Sequence, residues 1–314
     1  MLRLINRLFP LWVILGAVTA YFHPWVFLGF LSEQVTLFFG ITMFGIGVTL
    51  ELGQAAQTLR RPDKIILGTV AQFTIMPFSS YFLAELFHLR PDLALGLIIT
   101  GCVPGAMSSN VLSYLARGDV PYSIALTTLS TLVSPWITPA LTLFLIGNRV
   151  DVQYVAMMMT IIISVILPLA AGMAVRKLFQ RRIKPFLEIF PTISIAAIVV
   201  ICSVVVARNV DLIREASLSI FYLVVLLNVA GMVGGYVFGM LIRLSEAGKR
   251  TLAIEIGMQN AGMGVILALT HFKDQAGAAL PSAIFATWCI VSASLFTLTP
   301  YRSKNEKTAQ QSGG

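Results

Sequence analysis

Acidic side chains are the sharpest guide to chemistry in this chain. Of its 14 carboxylates, only Glu255 lies well inside an apolar stretch with no loop nearby. Glu51, Glu85, Asp92, Asp119, Asp151 and Glu188 fall at or near the ends of apolar runs. Glu33 opens such a run, and the remainder lie in loops or the tail. An ionised group deep in an apolar segment is costly unless it is partnered. No lysine or arginine lies deep enough to pair with Glu255. A bound cation can supply the missing charge, or the carboxyl can carry a proton.

Neutral oxygens recur inside neighbouring apolar runs, at Gln72, Ser109, Asn110, Ser123, Thr127 and Gln259. Ser123 and Thr127 are one helical turn apart, as are Glu255 and Gln259. Carboxylate, hydroxyl, amide and carbonyl oxygens suit hard cations, and one carboxylate among neutral oxygens suits a monovalent ion better than calcium. Taken alone, Ser123 or Thr127 reads as a hydroxyl bonded back to its own helix. An intramembrane hydrolase would need a nucleophile with a base or a second deep acid, and neither is visible. Cys102, Cys202 and Cys289 and the three histidines are scattered, without the spacing of a disulfide framework or a zinc site.

Two polar, glycine-rich interruptions break otherwise apolar runs. One is Pro104-Gly105-Ala106-Met107-Ser108-Ser109-Asn110, and the other spans Gly257 to Gly264 and contains Gln259 and Asn260. Proline and glycine disfavour a continuous helix. Broken backbone at membrane depth is tolerated only where protein, water or a ligand satisfies it. One such segment reads as a kink with close helix packing. Two, each carrying an asparagine, point to a binding site.

Composition names the setting. Hydrophobic types make up 57% of the 314 residues and charged types 11%, whereas a soluble domain carries about 25% charged residues. The chain therefore reads as an all-α polytopic membrane protein. Ten spans are expected at 8–29, 33–53, 64–89, 93–116, 120–147, 152–176, 186–207, 216–243, 249–271 and 276–300. These runs are continuous and about twice the length of a β-barrel strand. The first twenty residues imitate a signal peptide, but the apolar character continues to Phe30, so an uncleaved first span is expected. The net charge of +8 reads as loop charge rather than a nucleic-acid surface. With ten spans, 17 of the 22 basic residues fall on the side holding both termini and 5 on the other. Both termini are therefore expected in the cytoplasm. Ten divides into two sets of five. Five is odd, so the second set enters from the opposite side, which permits an inverted repeat.

At these residues the chain resembles the bile acid:sodium symporter family, particularly its bacterial members. The resemblance runs from RLFPLW through the tenth span. Its most specific pieces are SSNVLSYLARGDV with Ser123 and Thr127, STLVSPWITP, and TLAIEIGMQNAG. It implies sodium-coupled transport of an organic anion, such as a bile acid or a small pantoate-like acid, across the bacterial inner membrane by a monomer. Proton coupling through Glu255 is the alternative. It implies panel helices at 1–53 and 152–207, a core at 64–147 and 216–300 with helices four and nine broken and crossing, and a cytoplasmic tail at 301–314.

No cofactor is implied beyond two coupling sodium ions. The first would be held by Ser109, Asn110, Ser123, Thr127 and Glu255. The second would be held by Gln72, Glu255, Gln259 and the carbonyls of Ile256 and Met258. Asn260, Pro104, Gly105, Ser108, Cys289 and Ile290 would border the substrate. Bacterial relatives often carry Trp-His-Asn in the tenth span, where this chain has Trp288-Cys289-Ile290. A hydrogen-bonding pair has become Cys and Ile, which leaves the sodium motif intact and bears on substrate identity.

Overall fold

The computed structural model describes residues 8–50, 62–187, 189–215 and 219–299. The expected tail at 301–314 and the end of the second span at 51–53 lie outside these. Regular structure among the described residues is helical, with no strand beyond one isolated bridge.

The first half holds α1 (Phe9–Phe22), α2 (Ser32–Thr49), α3 (Pro62–Leu86), α4 (Pro91–Cys102), α5 (Ser109–Leu115) and α6 (Val120–Ile146). The second holds α7 (Tyr154–Leu178), α8 (Ile189–Arg208), α9 (Ser219–Leu241), α10 (Glu246–Gly257), α11 (Ala261–His271) and α12 (Leu280–Thr297). Five of these, together with the stretch Gly277–Thr297 that contains α12, are long and apolar enough to cross a membrane. The chain is a polytopic helical membrane protein.

Local chemistry sets the ends. The first helix stops at Phe22, short of the expected 29, because Pro24 cannot donate a backbone hydrogen bond and disfavours helical geometry at His23, whose φ is −129°. Asp119 caps α6 by accepting from the Tyr122 amide at 3.1 Å, and Ser245 caps α10 by accepting from the Gly248 amide at 3.1 Å. Three helices close alike. His88, Arg117 and Arg243 have φ of 48°, 55° and 56°. The amides after them reach back to Ala84, Ser113 and Gly239. These are Schellman closures with a non-glycine residue in the left-handed region, and they turn the chain sharply between α3 and α4, α5 and α6, and α9 and α10.

Burial is divided as a lipid solvent requires. Phe82, Phe144, Leu37 and Leu241 face outward, while Thr42, Gln72, Ser109, Ser123, Thr127, Asn228, Glu255 and Gln259 are enclosed. Helices α1 and α2 pack on α8, and α2 also packs on α7. Helix α9 packs on α10, and α3 packs on α4, α6 and α9. Small residues permit the close approaches. A side chain at Gly235 would come within 2.6 Å of the Leu252 carbonyl, and one at Gly101 within 2.6 Å of the Met76 carbonyl.

Candidate cation and substrate site

The two interruptions meet. Helix α4 ends at Cys102, and Val103, preceding a proline, is extended with ψ 158°. Helix α10 ends at Gly257, and Met258 is extended with φ −116° and ψ 112°. Gly105 and Gln259 form an antiparallel bridge. The Ala106 amide donates to the Met258 carbonyl at 2.9 Å, and the Asn260 amide donates to the Pro104 carbonyl at 2.8 Å. Each break therefore supplies backbone partners for the other. Both breaks are narrower than the sequence suggests. Ser109 and Asn110 already lie in α5, and Ala261 to Gly264 already lie in α11. Asn260 makes that second start, its Oδ1 accepting from the Met263 amide at 3.3 Å.

Glu255 stands one helical turn before this crossing and is fully enclosed. Its Oε2 accepts from the Ser109 hydroxyl at 2.6 Å and the Ser123 hydroxyl at 2.9 Å, and its Oε1 accepts from Thr127. Thr127 Oγ1 also lies 3.3 Å from Asn110 Oδ1 and 2.8 Å from the Ser123 carbonyl, so these acceptors and Glu255 share its single proton. All five residues expected at the first cation site are thus gathered from α5, α6 and α10. No lysine or arginine forms an ion pair with Glu255 among the described residues. Gly105 is required beside it, since a Cβ there would stand 2.8 Å from Glu255 Oε1. Thr251, one turn earlier on α10, accepts from the Asp119 amide at 2.7 Å and fixes α10 against the turn before α6.

Of the residues expected at a second cation site, Gln72, Gln259 and the Ile256 carbonyl come together. Gln72 Nε2 donates to Gln259 Oε1 at 2.9 Å, and Gln259 Nε2 lies 3.3 Å from the Ile256 carbonyl. Gln72 Oε1 is buried without a hydrogen-bond partner among the described residues. A buried bare oxygen of this kind suits a small hard cation. Asn228 was not singled out in the sequence. It also reaches this end of α10, donating to the Gly257 carbonyl at 2.7 Å.

A cavity of about 100 Å³ opens beside the crossing. Ser108, Asn260, Cys289 and Ile290 line it, while Pro104 and Gly105 are not among its lining residues. Its further wall comes from α2 and α8, through Phe39, Thr42, Met43, Ile46 and Ile198. These five were not anticipated. The one signal was Thr42, a hydroxyl inside an apolar run.

Residues 36–216 match the sodium bile acid symporter family. The chain is 37% identical over 305 residues to YocS of Bacillus subtilis (strain 168), described as an uncharacterized sodium-dependent transporter, covering 97% of this chain and 94% of that protein. The chain belongs to the sodium bile acid symporter family. Its similarity extends to the chloroplastic BASS1 of Arabidopsis thaliana, a probable sodium/metabolite cotransporter, at 32% identity over 280 residues, covering 89% and 70% of the two chains. BASS6 of the same plant, also a probable sodium/metabolite cotransporter, is 30% identical over 314 residues, covering 96% and 75%. Members of the symporter family are transporters and not enzymes. A sodium ion and a small molecule are the partners that membership implies.

Proposed function

We propose that the chain is a sodium-coupled symporter of an organic anion that works by alternating access. The observation that carries this reading is Glu255, an enclosed carboxylate faced by three hydroxyls at the crossing of two broken helices. Ser109, Asn110, Ser123, Thr127 and Glu255 would hold one sodium ion. Gln72, Glu255, Gln259 and the carbonyls of Ile256 and Met258 would hold a second. The Met258 carbonyl already accepts from Ala106 and keeps a lone pair for an ion. Glu255 serves both sites, so its charge is shared and the rest of each shell is neutral.

In this reading the ten spans form two inverted repeats of five. Helices α1, α2, α7 and α8 act as a panel, and the remaining helices act as a core that carries both ions. Cavity walls drawn from both groups support a substrate held between them. The first amides of α11 favour a negatively charged group at Asn260. The cavity falls below the roughly 300–1,000 Å³ of drug-sized ligand sites, which favours a small pantoate-like acid over a bile acid in this conformation. The 17-to-5 split of basic residues supports cytoplasmic termini in a bacterial inner membrane. One chain supplies every residue of the proposed sites, so a monomer suffices.

The test is a thermal-shift screen of organic acids with sodium against potassium at fixed pH, followed by uptake into vesicles. Binding and uptake should need sodium. Uptake driven by a pH gradient alone, with sodium absent, would replace this reading with proton coupling through Glu255.

A further inference from the structure

Asn228 sits in the middle of α9 and is fully enclosed. Its Nδ2 donates to the Gly257 carbonyl at 2.7 Å. Its Oδ1 is buried without a partner among the described residues. A buried bare amide oxygen is unfavourable, so the side chain is poorly explained as a stabiliser for its own sake. Its donor has a specific target. Gly257 is the last residue of α10, where carbonyls lose the amides that a further turn would provide. A side chain from the neighbouring helix closes that end instead.

The geometry around Gly257 gives this bond its consequence. Ile256 and Met258 flank Gly257, and their carbonyls are the two assigned above to the second ion. Peptide units are planar, so fixing one carbonyl restricts the torsions on which both neighbouring carbonyls turn. Helix α9 itself is held tightly against this segment. A side chain at Gly231, one turn after Asn228, would meet the Ile256 carbonyl at 3.0 Å and the Gly257 Cα at 3.1 Å. Asn228 and Gly231 share a face, so the amide is presented from a fixed platform.

We propose that Asn228 is a positioning residue for the second sodium site. By holding the Gly257 carbonyl on the α9 side, it aims the Ile256 and Met258 carbonyls at the ion without touching the ion itself. The inference rests on the sodium-symport reading.

The test uses the full-length chain purified in detergent. Sodium is titrated by thermal shift, with potassium chloride holding ionic strength constant. Asn228→Leu keeps the approximate volume and removes the donor. It should raise the sodium midpoint by about 10–100-fold, the usual effect of losing a group that orients a metal ligand, while melting in potassium alone stays near wild type. Asn228→Ser keeps a donor on a shorter arm and should fall between the two. A wild-type sodium midpoint in Asn228→Leu overturns the proposal, whatever happens to melting in potassium. Should the leucine variant fail to fold, a wild-type midpoint in Asn228→Ser overturns it equally. Glu255→Gln separates the two levels. Sodium binding unchanged in that variant sinks the symport reading and this inference together. Sodium binding lost there but kept in the Asn228 variants sinks this inference alone.

Discussion

Replacing Glu255 by Gln keeps the outline of the side chain and removes its charge. Three hydroxyl donors converge on the two carboxylate oxygens, and Gln offers them one oxygen and an NH2 group. A unit charge about 4 Å from a sodium ion, at an effective dielectric of about 20, contributes about 4 kcal/mol. That corresponds to nearly three orders of magnitude in affinity. Part of it is offset because the ion-free site no longer encloses an unpaired charge. A loss of about a hundredfold is therefore the expected floor. Glu255→Ala goes further and leaves the Ser109 and Ser123 hydroxyls short of an acceptor, at about 1–3 kcal/mol each before relaxation, while Thr127 keeps the Ser123 carbonyl. Its melting temperature should fall even without sodium. Calorimetry or thermal-shift titration measures both quantities. Because a ligating carboxylate must be deprotonated, sodium affinity should weaken as pH falls in wild type, and this dependence should disappear in Glu255→Gln. Unchanged sodium affinity in both variants would remove Glu255 from the coupling mechanism.

Further outcomes follow from the same geometry. Gly105→Ala brings a methyl group to 2.8 Å from Glu255 Oε1; a clash of about 1–2 kcal/mol should weaken sodium binding about tenfold, and a wild-type titration would show that the carboxylate is not fixed there. Asn260→Phe should fill the cavity and abolish uptake while much of the sodium response remains, with melting lowered by the loss of a helix cap worth about 1 kcal/mol; wild-type uptake would move the substrate elsewhere. Single cysteines introduced at Ser303 and Gln153 should react with an impermeant reagent from opposite faces of the membrane, and labelling of both from one face would refute the ten-span topology.

Much of the site was legible because membranes make polar residues conspicuous. Glu255 stood out as an acid with no loop to explain it. Ser109, Asn110, Ser123 and Thr127 stood out as neutral oxygens inside apolar runs, and the resemblance is what tied them to it. Backbone geometry was less legible. That the Pro104 carbonyl binds the Asn260 amide depends on torsions, which residue types do not specify. Gly105 illustrates the limit: the sequence suggested a glycine beside substrate, and the structure sets it against Glu255. Asn228 escaped notice because a lone amide between Leu227 and Val229 has no patterned partner in sequence, its target being a carbonyl on another helix. The walls from α2 and α8 were hidden for a plainer reason, since apolar residues facing a cavity read the same as those facing lipid.

The Ala106 and Asn260 amides bond across the crossing to chain segments remote in sequence, and deuterium can replace their hydrogens only when those segments part. Helix-interior amides nearby exchange through fraying or unfolding of their own helix, a separate event. These two positions therefore report on the crossing itself. A core that travels as one rigid body would keep both amides protected in every transport state. A core that loosens when sodium leaves would let both exchange together in potassium and slow them again in sodium. Site-resolved exchange at two backbone amides would then follow the ion cycle without a label, a substrate or any substitution.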